Sequence, residues 1–182
     1  YIRNFAKNGQ FKSWSGGVPV NFTEVDPDGN LAISQDGNDL WESDLGVYAC
    51  RLTSSNGSGG DYGLNQDTTY AWIQDVRGVL AIDWEHLAGD SGLLVGLRRN
   101  SDNYWWNSST ESWQSSQATH RFPTNSQLTR DYLPFTVPSS YTDTFLIHIR
   151  VDRPNQDARI HGIDLQGGFS GDTKFKTPTS RI

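Results

Sequence analysis

Two stretches of this chain alternate apolar and polar residues with a period of two, and a helix cannot use that rhythm. In Val79 to Leu87, Leu80, Ile82 and Trp84 fall on one side while Asp83 and Glu85 fall on the other. In Phe145 to Asp152, Phe145, Ile147, Ile149 and Val151 share one side, and Leu146, His148, Arg150 and Asp152 the other. A strand points successive side chains to opposite faces, so each stretch reads as a strand with one buried face. The predicted core therefore includes Leu80, Ile82, Trp84, Phe145, Ile147 and Ile149.

Shorter runs of the same kind recur between turn signals. Val18 to Phe22, Leu31 to Ser34, Leu45 to Thr53, Tyr70 to Gln74 and Leu93 to Arg99 all read as strands. In Leu45 to Thr53, Tyr48, Cys50 and Leu52 share a face; in Tyr70 to Gln74, Tyr70 and Trp72 do. Asp26-Pro27-Asp28-Gly29 and Gln35-Asp36-Gly37-Asn38 read as turns. Gly89-Asp90-Ser91-Gly92 reads as a hairpin turn that pairs its flanking strands. Tyr104-Trp105-Trp106 and Trp113, separated by the polar Asn107 to Ser112, form a second hairpin. Phe135 to Val137, between Pro134 and Pro138, suits a sheet edge, because proline lacks the donor a ladder needs. Ala158 to Leu165 is expected to close the fold. Short helical turns are expected at Asp67 to Thr69 and Ser126 to Tyr132. Many short strands with scarcely any helix predict an all-β sandwich of two antiparallel sheets. Residues 1–166 form one domain in this reading, and residues 167–182 an extended tail.

Composition narrows the function classes. Of 182 residues only 35% are apolar, but 12% are aromatic, which suits a layer of bulky rings between two sheets. The net charge is −6. Up to Ser91 there are 13 acidic and 5 basic residues, and after it 8 acidic and 10 basic, so neither half carries a nucleic-acid footprint. No apolar run approaches the roughly 20 residues of a membrane span. Cys50 is the only cysteine, which excludes an intrachain disulfide. The chain opens on Tyr1 rather than Met and reads as a processed or trimmed segment. His86, His120, His148 and His161 are scattered with no metal-binding spacing, and no nucleophile elbow is present. Asp83 and Glu85 stand two apart on a strand, a spacing any sheet supplies, and read as a solvated face rather than a glycosidase pair. Cys50 reads as a small buried apolar residue.

Four segments in order carry a family resemblance. They are Asn8-Gly9-Gln10-Phe11 followed by Trp14-Ser15-Gly16-Gly17-Val18-Pro19; Tyr48-Ala49-Cys50-Arg51-Leu52 before a Gly/Ser loop; Tyr104-Trp105-Trp106 with Trp113; and Ile163-Asp164-Leu165. Together, over about Asn4 to Leu165, they resemble the jelly-roll carbohydrate-binding modules attached to secreted glycoside hydrolases, a type with relatives in phage appendage proteins. The resemblance implies a jelly-roll β-sandwich, a glycan or polysaccharide partner, no catalysis, and an extracellular or virion-surface location. The alternative is a structural domain of a phage virion appendage or other extracellular assembly, whose partners are other subunits of that assembly or of a multidomain protein.

The resemblance also implies a structural calcium. Asp164 stands at a matching ligand place, but Lys12 occupies the position where the family carries Glu, and Gly162 precedes Ile163. A calcium ion takes six to eight oxygens, so no strong site is expected there. For the glycan, the aromatic hairpin is the candidate site: Tyr104, Trp105, Trp106 and Trp113 as rings for the C–H face of a sugar, with Asn103 and Arg99 as polar partners. Alternation puts Tyr104 and Trp106 on one face and Trp105 on the other, so at least one of these rings is expected in the core.

Overall fold

The computed structural model describes residues 4–37, 48–69, 71–73, 77–137 and 141–167. The expected strand start at Leu45, the turn residue Asn38, the face shared by Tyr70 and Trp72, and the tail from 168 onward lie outside what is described. Among the described residues there are sixteen strands and no helix. In chain order they are β1 (Trp14–Ser15), β2 (Val18–Pro19), β3 (Thr23–Val25), β4 (Leu31–Asp36), β5 (Ala49–Ser54), β6 (Gly63–Asp67), β7 (Ala71–Ile73) and β8 (Arg77–Ala88). Then follow β9 (Leu94–Arg99), β10 (Trp105–Asn107), β11 (Ser112–Gln114), β12 (His120–Arg121), β13 (Thr129–Thr136), β14 (Tyr141–Asp143), β15 (Phe145–Arg150) and β16 (Asp157–Gly167).

Two antiparallel sheets make the sandwich. One has the order β11-β10-β9-β15-β6-β3, with β12 also on β9; the other has β13-β8-β16-β5-β4. β1 with β2 and β7 with β14 form two small pairs. The inward faces meet in one apolar core. Leu80, Ile82, Trp84, Phe145, Ile147 and Ile149 are each at most 1% exposed, as the alternation predicts. Cys50 is buried as well, and burial pushes its thiol well above the ordinary range.

Several local expectations are corrected. Gly89 to Gly92 does not make a hairpin, because β8 pairs with β13 and β16 whereas β9 pairs with β15, β10 and β12. The segment arches from one sheet to the other. Its carbonyls are taken by Gln156, whose amide donates to Ser91 O at 3.1 Å and Gly92 O at 2.9 Å. Gly92 packs so closely that a Cβ would stand 1.6 Å from the Phe122 carbonyl oxygen. Val18 to Phe22 is not one strand, since the chain turns at Asn21, which has φ 72°. No helical turn forms at Asp67 to Thr69 or Ser126 to Tyr132. Asp67 ends β6, and Thr129 opens β13, pairing with Trp84. β13 does lie at a sheet edge and includes Pro134, but it begins at Thr129, well before Phe135. Ala158 to Leu165 does form a strand, within β16, the last of the described strands, and it runs through the middle of its sheet, between β8 and β5.

A strap at the start of the described chain joins both sheets. Phe5 N donates to Leu165 O at 2.8 Å, and the Asn4 side chain accepts from Leu165 N at 2.9 Å. On the other side, the buried Gln66 of β6 accepts from Lys7 N at 2.9 Å and donates to Lys7 O at 2.6 Å.

Candidate functional site

The pleat of the β10–β11 hairpin sorts the aromatic residues. Trp106 sits directly across from Trp113, and Trp105 across from Gln114. The first pair points into the sandwich. Trp106 is only 4% exposed, its ring 5.3 Å from that of Trp113. Trp113 is half-buried, tilted on Phe145 and edge-on to Phe135, and its indole N–H donates to Thr136 O at 2.6 Å. Arg99 is buried too. Its guanidinium lies 4.8 Å from the Trp113 ring and 5.4 Å from the Tyr104 ring, and it pairs with Asp102. Arg99, Trp106 and Trp113 thus build the floor of the hairpin rather than its surface. Tyr104 is 38% exposed, and Asn103 beside it is exposed in a left-handed turn with φ 61°.

Trp105 is the half-buried ring of the outer face. It rests over Gly96, where a Cβ would stand 3.0 Å from the indole; the glycine lets a large ring approach the sheet. Arg98 lies over this ring at 5.8 Å, and His148 meets it edge-on at 5.4 Å. Polar groups surround it. Gln114, across from Trp105, accepts from Asn107 at 2.8 Å, and Arg98 donates to Asn100 at 3.2 Å.

His148 and Arg150 point to the outer face as predicted, but they are covered, at 4% and 3% exposure. Burial lowers the His148 pKa to about 4, with a further push from Arg150, so the imidazole is neutral at about pH 7. Arg150 is held by Asp61 at 2.5 Å and donates to Leu64 O, Asn65 and Ile149 O, each at 3.0 Å.

The outer face of the other sheet has a different character. Arg130 bridges Asp83 at 2.7 Å and Asp164 at 2.5 Å, Arg159 bridges Asp36 and Glu85, and Arg51 pairs with Asp157 at 2.7 Å. Asp83 and Glu85 are therefore half-buried members of ion pairs, not a freely solvated face.

The place where the resemblance implies calcium does not fit one. Asp164 accepts from Asn4 Nδ2 at 2.7 Å through one oxygen and from Arg130 through the other, and Asn4 Nδ2 also donates to Ile163 O at 3.1 Å. Lys12 lines the same small cleft. Protein N–H donors occupy the oxygens a cation would need, and among the described residues no group of three His, Cys, Asp or Glu stands together as a metal site.

A second concavity opens on the opposite side of the hairpin. Arg77, Trp106, Ser108, Glu111, Pro134, Phe135 and Thr136 line an open cleft of about 460 Å³. Sequence reading singled out the rings of the hairpin but missed Arg98, Asn107 and Gln114 around Trp105. Their signal was positional: Gln114 follows an inward Trp, and Arg98 shares its strand face with Gly96.

No protein-family model matches the chain, and no curated protein matches it. Solved structures do. A candidate sugar-binding protein from Bacteroides thetaiotaomicron superposes with a TM-score of 0.60 at 10% identity, covering 91% of this chain and 100% of that one. A family 4 carbohydrate-binding module gives 0.52 at 8% identity, covering 88% and 97%. The enzymatically active domain of a bacteriophage CBA120 tailspike gives 0.51 at 15% identity, covering 89% of this chain and 21% of that one. The chain has the jelly-roll β-sandwich fold of the carbohydrate-binding modules.

Proposed function

We propose that this domain is a non-catalytic carbohydrate-binding domain that holds a glycan against Trp105, with Tyr104 and Asn103 at the margin of the contact. The observation that carries the reading is the contrast between the two outer faces. One is filled by paired charges. The other presents an indole ringed by amides and a guanidinium, the mixture that serves a sugar's C–H face and its hydroxyls together. Solved structures of this fold include carbohydrate-binding modules, which supports the reading. Arg99, Trp106 and Trp113 act in this reading from beneath, by fixing the hairpin that carries Trp105.

Paired alanine variants test it. Trp105→Ala is expected to abolish retention on polysaccharide while the protein remains folded. Trp106→Ala, which empties a core position, is expected to cost about 3–5 kcal/mol of stability. A parent domain that binds nothing on a broad glycan array would sink the sugar reading and favour the assembly role.

A further inference from the structure

We propose that the cleft between the β10–β11 hairpin and the end of β13 is a second saccharide site, separate from Trp105, that takes one neutral sugar residue. Its floor is apolar, from Trp106, Pro134 and Phe135, and its rim is polar, from Arg77, Ser108, Glu111 and Thr136. The volume of about 460 Å³ suits a small-molecule ligand.

The charges at the rim select the ligand class. Arg77 and Glu111 are both exposed, and neither has an ion-pair or side-chain hydrogen-bond partner among the described residues. An anion would gain from Arg77 but meet the Glu111 carboxylate. A cation would meet the guanidinium. A purely apolar ligand would desolvate both without compensation. A neutral polyol satisfies both at once, because each hydroxyl donates to a carboxylate and accepts from a guanidinium.

Two further observations point to the same place. Glu111 is held at φ 51°, a conformation glycine would adopt without steric cost, so the hairpin keeps a carboxylate where glycine would be easier. The indole N–H of Trp106, a residue that lines the cleft, is buried and has no hydrogen-bond partner in the protein.

The test uses the full chain and its separate indole N–H resonances. It is titrated with the methyl glycosides of D-glucose, D-galactose, D-xylose and L-arabinose, and with galacturonate and glucosamine as charged controls. At least one neutral glycoside is expected to shift the Trp106 indole signal saturably. Arg77→Ala and Glu111→Gln should each weaken that binding at least about tenfold, with an unchanged melting temperature. The idea is overturned if no neutral glycoside moves Trp106, if a charged sugar binds as tightly as the best neutral one, or if both variants retain affinity. The Trp105 reading stands independently and fails by a different result: a Trp105 indole signal unmoved by any oligosaccharide.

Discussion

Acid should loosen this fold through His148, and the effect has a calculable size. The imidazole is 4% exposed, packed edge-on to Trp105 and close to Arg150, with Asp61 and Asp152 only partly offsetting that positive charge. In the folded chain it takes a proton at about 4, whereas an unfolded histidine does so near 6.5. Between those values the unfolded chain binds more protons, so stability falls as the pH falls. The contribution is complete above about 6.5 and lost on passing through about 4, a total of about 3 kcal/mol. Urea unfolding of the parent and of His148→Leu, measured near neutral pH and near pH 4, isolates this group from the carboxylates that titrate in the same range. The stability of the parent relative to the variant should drop by about 3 kcal/mol between the two conditions. A difference that stays constant with pH would refute the reasoning.

Chelation should leave the melting temperature unchanged, and added calcium should not raise it, because Asn4 and Arg130 already occupy the Asp164 oxygens; a shift of many degrees by differential scanning calorimetry would contradict this. Gly92→Ala should cost more than about 3 kcal/mol, as its methyl would stand 1.6 Å from a backbone carbonyl oxygen; chemical denaturation of the variant measures it. Cys50 should resist thiol reagents in the native protein and react only on unfolding, since burial both blocks it and raises its pKa.

How far the sequence could be read depended on what each pattern encodes. Alternation specifies which face of a strand is buried, and it located Leu80, Ile82 and Trp84, and Phe145, Ile147 and Ile149, correctly. It does not specify the partner strand. Gly89 to Gly92 looks like a hairpin because both flanking strands bury one face, yet those faces meet across the core, and the arch is held by Gln156, distant in sequence. Polarity likewise signals an outward side chain but not exposure. His148 and Arg150 do point outward, and are then covered by Trp105, Asp61 and Asn65. At the candidate site the pleat placed Trp105 opposite to Trp106, but alternation could not say which of the two rings faces the core. That follows from the register of Trp106 with Trp113, which only the folded hairpin shows.

The strap at Asn4 to Lys7 has a mechanical consequence. Phe5 and Leu165 are hydrogen-bonded neighbours, so chain entering at one and leaving at the other does so at a single point on the sandwich. Tension applied between them would load the bonds of Asn4 and Phe5 to Leu165 together with the β16–β8 ladder, where Leu165 pairs with Leu80, so the strap and the last strand share the load.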